Sequence, residues 1–307
     1  VSVGFRSSMV NTTGANNVVM GFFALNQNTT ANDNTAIGSY ALTANTTGSQ
    51  NTAVGANALD SNTTGSPNTA VGAQCLAAAT TGVYNTALGY QALDALTTQS
   101  FNVAIGSGAL GASNQSANTA IGHNAAHNAS SAANLVCIGT DAGNAITTGS
   151  NNTIVGRNAG TSITTGTNNS FLGAGAGSGA ANSTSNEVIL GNSSISTLRC
   201  QTQTISGLSD QRDKTAIEDL IVGLDFINTL KPRKFTWAMR EPSANDGKTQ
   251  TGFIAQELQE SVGENEYLNL VDSYNDETLH SNMGNLIPVM IKAIQELSAE
   301  VQTLKAA

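Results

Sequence analysis

Lysine is missing from the first 208 residues of this chain; all six lysines, the single tryptophan and three of the four prolines lie beyond them. Charged residues make up 11% and aromatic residues 5% of the 307 positions, against about a quarter charged in an ordinary globular domain. That shortage argues against one conventional enzyme domain over the whole length and for something repetitive. A net charge of -9 supplies neither phosphate attraction nor a polybasic anchor, so nucleic acid and anionic membranes are not expected partners. No run approaches the roughly 18 apolar residues that span a bilayer, and no signal-peptide pattern opens the chain. A start at Val1 reads as a fragment or a processed product. Cys75, Cys137 and Cys200 lie far apart without metal-ligand spacing, which excludes a disulfide framework and a zinc site. No metal and no cofactor is expected.

Composition breaks near residue 208. Before it stand three arginines and five acids, a net of -2; after it stand nine basic and sixteen acidic residues, a net of -7. The first part repeats. A glycine preceded by an apolar residue occurs at Gly4, Gly21, Gly38, Gly55, Gly72, Gly89, Gly106, Gly122, Gly139, Gly156, Gly173 and Gly191, at intervals of 17 broken by one 16 and one 18. The fullest unit reads Asn34-Thr35-Ala36-Ile37-Gly38, then Ala41-Leu42, then Thr46-Thr47-Gly48. Asparagine stands four places before the glycine in nine units, from Asn17 to Asn169.

Seventeen residues with so little bulk suit neither a helical repeat nor its apolar stripe. Short β-branched segments alternating with Gly, Asn and Thr turns suit one coil of a β-solenoid. Twelve coils at about 4.8 Å make a rod of roughly 60 Å. Stacking sets each asparagine above the next, which predicts a hydrogen-bonded ladder. One Ile, Val or Leu plus alanines per coil is a thin core, which association of several chains would remedy. These units resemble the head repeats of trimeric autotransporter adhesins of the YadA type and the shafts of some phage tail fibres. That resemblance covers roughly residues 1-192 and implies a trimeric parallel β-roll.

Other signals in the shaft read as bland. Gly173-Ala174-Gly175-Ala176-Gly177 lacks the lysine and helix of a phosphate loop. His123 and His127 are four apart, a metal pair only on a helix; on a β-roll they are expected exposed and unpaired. Asn-Thr-Thr triplets follow from the repeat itself.

The second part opens on Leu208-Ser209-Asp210-Gln211-Arg212-Asp213-Lys214 and continues through Phe235 and Trp237, Gly252-Phe253-Ile254-Ala255-Gln256-Glu257, and a closing helix. Phe235 and Trp237 alternate with polar residues as in a half-buried strand, and 252-260 reads as a strand entering a helix. Ile287, Met290, Ile294, Leu297, Val301 and Leu304 are spaced 3, 4, 3, 4, 3, a heptad seam that predicts a coiled coil over 286-305. Pro288 is tolerable in the first turn.

This arrangement resembles the C-terminal intramolecular chaperone domain of phage tailspikes and tail fibres, the S74 peptidase family. The motif residues are Ser209, Asp210, Arg212 and Lys214, then Gly252 to Glu257, then Ala293 to Leu297. The resemblance implies a domain that trimerises, nucleates folding of the fibre ahead of it and cuts itself away. It assigns Ser209 and Lys214 as a catalytic dyad and Leu208-Ser209 as the scissile bond, with Asp210, Arg212, Gln256 and Glu257 in supporting positions. Chemically, a serine needs a base to take its proton, and lysine serves only when neutral, which burial or nearby positive charge favours. Arg212 pushes that way; Asp210 and Asp213 oppose it. An N-to-O acyl shift and direct hydrolysis both remain open. The bland alternative makes Ser209 a helix cap and Lys214 a solvated charge.

The expectation is therefore a mainly β shaft over 1-200, a linker over 201-208 and an α+β chaperone domain over 209-307. The protein would be a homotrimeric phage fibre in the virion, made in the host cytoplasm, that acts on no other substrate. Its partners would be other tail or baseplate proteins and a host-surface glycan or receptor. The alternative is a fibre or surface adhesin without catalysis, keeping the domain as a permanent cap. Hydrolysis of a host polysaccharide ranks last, because Asp60 and Asp94 occupy one repeat position two turns apart, too far to cooperate as a carboxylate pair.

Overall fold

The computed structural model describes residues 1-195, 198-199, 209, 211-238, 247-275 and 278-306. It divides into two units, Val1–Asn192 and Ser193–Ala307, taken separately below. The expected linker over 201-208, with Cys200, Leu208 and Asp210, lies outside the described residues.

The first unit is a parallel β-solenoid. Twelve strands, from Ser2–Val3 to Val188–Leu190, form one sheet in strict chain order. Register follows the repeat: Thr35 pairs with Thr52, Ala36 with Ala53 and Ile37 with Val54. The period-2 side-chain alternation puts the middle residue, such as Ala36 or Ala53, inside at 0% exposure. The flanking Thr and Ile or Val face outward. The residue that fills the coil is the leucine of Ala-Leu: Leu25, Leu42, Leu59, Leu76, Leu93 and Leu110 are all fully buried.

Each coil turns on left-handed residues, such as Tyr40 (φ 60) and Leu42 (φ 50), and on the repeat glycine. Gly38 sits at φ +137, and a Cβ there would lie 2.3 Å from the carbonyl oxygen of Gly55. Side chains are thus excluded by both conformation and space. The 16- and 18-residue intervals leave the sheet unbroken.

Core volume moves from corner to strand along the rod. After Leu110 the left-handed corner holds Ala126, Gly143 and Gly160. In step, the inward strand residue grows from Ala120 to Cys137, Ile154 and Phe171, all buried. The two positions meet: a Cβ on Gly160 would lie 2.6 Å from Ile154 Cδ1, and one on Gly177 2.6 Å from Phe171. Close packing demands this exchange. Burial pushes the Cys75 and Cys137 thiols up to about 12, which makes both inert packing groups.

The expected asparagine ladder is present, and most of its bonds reach the backbone of the next coil. Asn51 Oδ1 accepts the Asn68 backbone N–H at 2.8 Å, and its Nδ2 donates to the Gly65 carbonyl at 2.9 Å. The column thus links side chain to backbone, satisfying buried peptide groups where the coil turns, and it also runs side chain to side chain where Asn85 Nδ2 donates to Asn68 Oδ1 and Asn102 Nδ2 to Asn85 Oδ1, both at 3.1 Å. A second column, unnoticed in the repeat, runs side chain to side chain over successive coils. Asn28 donates to Asn11, Asn45 to Asn28 and Asn62 to Asn45, at 2.7, 3.4 and 2.8 Å. It stops at Ala79, and the buried Asn62 Oδ1 is left without a hydrogen-bond partner.

The second unit packs helix α1 (Leu224–Thr229), helix α2 (Ala255–Val262) and helix α3 (Leu286–Ala306) with two antiparallel pairs. Those pairs are Arg233–Thr236 with Thr249–Gly252 and Val271–Asn275 with Thr278–Ser281. The core joins Val222, Phe226, Val262, Leu268, Leu270, Leu286 and Val289. Leu286, Val289 and Ala293 of α3 are buried, so the first half of this helix packs on its own unit with one face. Glu296 reaches back from α3, and its Oε2 accepts the Leu224 N–H at 2.6 Å. Gly223 leaves room for that carboxylate, since a Cβ there would meet Glu296 Oε2 at 2.3 Å.

Candidate active site

Ser209 and Lys214 are five residues apart, and a 3-10 turn over Gln211–Asp213 folds the chain between them. The Lys214 N–H donates to the Gln211 carbonyl at 3.1 Å, closing the turn. With the backbone doubled back, Lys214 Nζ donates to Ser209 Oγ at 2.7 Å. Both residues are exposed. The turn begins after Ser209 and is three residues long. A hydroxyl within 2.7 Å of an amine is the separation proton transfer needs.

Arg212 lies on the turn itself and is exposed. Gln256 is exposed at the start of α2, while Glu257 beside it binds Arg233. That ion pair is bidentate, with Nε to Oε2 at 2.9 Å and the second nitrogen to Oε1 at 2.5 Å. It ties the strand Arg233–Thr236 to α2, and it holds the Glu257 carboxyl below the usual carboxylate range through the Arg233 hydrogen bonds. Glu257 thus braces the unit rather than joining Ser209 and Lys214.

The six seam residues of α3 form a second coherent surface. Ile287, Met290, Ile294, Leu297, Val301 and Leu304 are all exposed, from 40% at Val301 to 77% at Leu304. They occupy a face distinct from the buried Leu286, Val289 and Ala293. One helix therefore carries two apolar faces, one used by its own unit and one free along its length.

The solenoid carries a comparable stripe. The outward strand residue before each glycine is apolar in every coil, from Val3 and Met20 through Leu88 and Ile138 to Leu172 and Leu190, each of these six exposed. His123 is exposed, as expected. His127 is not unpaired: its Nδ1 lies 2.7 Å from the Gly108 carbonyl oxygen, because the neighbouring coil presents that carbonyl at the corner. No group of three or more His, Cys, Asp or Glu capable of holding a metal occurs among the described residues. No helix among them is long and apolar enough to cross a membrane.

Residues 209–266 match the family model Peptidase_S74, the chaperone of endosialidase. The matched segment begins at Ser209 and contains Lys214, the Arg233–Glu257 pair and the Gly252–Glu257 motif. With the solenoid in front of it, the match supports a tail fibre carrying a C-terminal chaperone domain. No curated protein and no solved structure matches the chain.

Proposed function

We propose that this chain is the subunit of a homotrimeric phage-type fibre whose chaperone domain assembles three copies, guides the solenoid into register and then cuts itself free at Leu208-Ser209. The observation that carries the reading is the 2.7 Å contact of Ser209 Oγ with Lys214 Nζ at the first residue of the chaperone match. Lys214, once deprotonated, takes the Ser209 hydroxyl proton as Oγ attacks the Leu208 carbonyl carbon. The same amine returns a proton to the departing Ser209 nitrogen. The acyl group rests on Oγ as an ester, which one water opens to the Leu208 carboxylate and the free hydroxyl. Direct delivery of water to the Leu208 carbonyl gives the same products.

Association of copies fits the two exposed stripes, and the number three follows from the resemblance. A heptad seam is satisfied only by partner helices, and the apolar column of the solenoid gains cover when copies stand side by side. Association at the helix raises the local concentration of the chain ends, and it shortens the search for the long-range parallel pairing that folds slowly. Exposure of Ser209 and Lys214 in one chain gives assembly a further task, removing water from the dyad. Cleavage then leaves a shaft that has lost its assembler and cannot readily rebuild itself. Attachment of this fibre to tail or baseplate proteins at one end and to a host surface at the other completes the reading.

A second reading keeps the domain as a permanent cap. Lys214 is exposed in the single chain, as a solvated surface lysine would be. The Lys214→Arg chain decides between the two, because arginine keeps the charge but does not deprotonate. A gel time course in which wild type splits and Lys214→Arg stays whole supports self-cleavage by the dyad. Equal splitting of both removes Lys214 from the chemistry, and no splitting of either favours the cap.

A further inference from the structure

One surface column of the shaft breaks its own pattern. The residue just before the buried-asparagine position holds a left-handed backbone in most coils, and Asn16, Asp33, Asn134, Asn151, Asn168 and Asn186 stand there. These short polar side chains tolerate that conformation. Midway along the rod the same position holds Tyr84 (φ 57) and Phe101 (φ 64). Their rings stay 58% and 61% exposed, so no burial offsets the conformational cost. The fold does not ask for aromatics here.

The two rings stack with centroids 5.4 Å apart and planes 7° from parallel. The column then drops to Ala117 (φ 61), so nothing larger than a methyl group lies over the second face of Phe101 from within the column. One coil further, Asn134 Nδ2 donates to Asn151 Oδ1 at 3.1 Å. Asn134 is exposed, and its Oδ1 accepts from no described residue. Phe101 and Asn134 are two coil steps apart, about 9.6 Å, with exposed Ala117 as the floor between them. That height accommodates one ring lying parallel to Phe101. The Phe5, Phe22, Phe23 and Tyr40 group near the start is a larger cluster, with the Arg6 guanidinium over the Phe5 and Phe23 rings.

We propose that the shelf of Phe101, Ala117 and Asn134 is a subsite for a neutral pyranose ring. The C–H face of a sugar suits the electron-rich face of Phe101, and a ring hydroxyl supplies the donor that Asn134 Oδ1 lacks. An aromatic or aliphatic side chain from a peptide would use the ring and leave the amide unanswered. No lysine or arginine occurs between Arg6 and Arg157, so an acidic sugar would find no cation on this stretch of the chain. Tyr84 backs Phe101 and holds its ring upright. The inference rests on the attachment reading only for its biological use. Sugar binding and self-cleavage are read separately, so either can fail while the other stands.

The test is saturation-transfer NMR on the full chain with the methyl pyranosides of glucose, galactose, mannose and N-acetylglucosamine, each alone. Transfer to the ring C–H protons of at least one is expected. Phe101→Asn, which restores the column's preferred residue, removes the stacking face. Ala117→Asn leaves both rings in place but fills the shelf and occupies Asn134 Oδ1. Each variant should weaken binding by about tenfold or more. No transfer from any of the four to the wild-type chain, or undiminished transfer to the Ala117→Asn chain, overturns the proposal. Light scattering covers the remaining occupant: if Phe101→Asn lowers the molar mass in solution, the ring pair is a contact between copies and the sugar subsite is wrong.

Discussion

Replacing Asn51 by alanine should cost about as much stability as removing a large core side chain, although only an amide is lost. Asn51 is fully buried. Its Nδ2 bond to the Gly65 carbonyl at 2.9 Å disappears, but that carbonyl keeps Asn62 Nδ2 at 3.2 Å. The Asn68 N–H, bound at 2.8 Å to Asn51 Oδ1, keeps nothing. One lost hydrogen bond contributes about 1 kcal/mol and one orphaned buried N–H costs about 1–3 kcal/mol, for a total of about 2–4 kcal/mol. The exposed bond from Asn16 Nδ2 to Asp33 Oδ1 at 3.0 Å is the control, and Asn16→Gly should change stability by no more than about 0.5 kcal/mol. Guanidinium unfolding followed by circular dichroism reads both, in a Ser209→Ala background so that all samples stay whole. A loss below about 0.5 kcal/mol for Asn51→Ala would refute the claim that the ladder satisfies groups water cannot reach.

Four further outcomes follow from the packing and charge. Ala79→Ser places a hydroxyl in the coil beside the orphaned Asn62 Oδ1 and should raise stability by about 1 kcal/mol; no gain on unfolding shows that the hydroxyl does not reach it. Gly160→Ala, at φ +62 and 2.6 Å from Ile154 Cδ1, should cost about 1–3 kcal/mol, and Ile154→Ala should cost less in that chain than it does alone. Ile294→Glu changes a residue that is 60% exposed, so α3 should keep its helicity by circular dichroism while light scattering falls from three chains to one. The lowered Glu257 carboxyl contributes stability that is present above its unfolded pKa and lost as pH falls through the depressed folded value. The second unit should therefore melt lower at about pH 3 than at pH 6, and Glu257→Gln should narrow the gap; an unchanged gap places the acid sensitivity elsewhere.

The rod was legible in sequence because each coil repeats the same three demands, namely an inward small residue, a left-handed turn and an amide at the bend. What sequence spacing does not reveal is direction. Ile37 and Leu42 are both apolar, yet only Leu42 turns inward, since strand alternation and the left-handed corner decide the face. The volume exchange between Leu110 and Phe171 was equally hidden, because it joins positions that meet only across the coil. The contact of Ser209 with Lys214 followed from a motif, while the Arg233–Glu257 pair links residues 24 apart that pattern reading does not join. The α3 seam was plain at heptad spacing. Its second, buried face of Leu286, Val289 and Ala293 was not, because both sets are apolar and only packing separates them.

In the proposed reaction Ser209 cuts the bond in front of itself. Intact mass under denaturing conditions, for the wild-type chain and for Ser209→Ala, tests it most directly. Two wild-type fragments, residues 1-208 and 209-307, and a whole Ser209→Ala chain are expected. Both chains whole, or both cut alike, would contradict it.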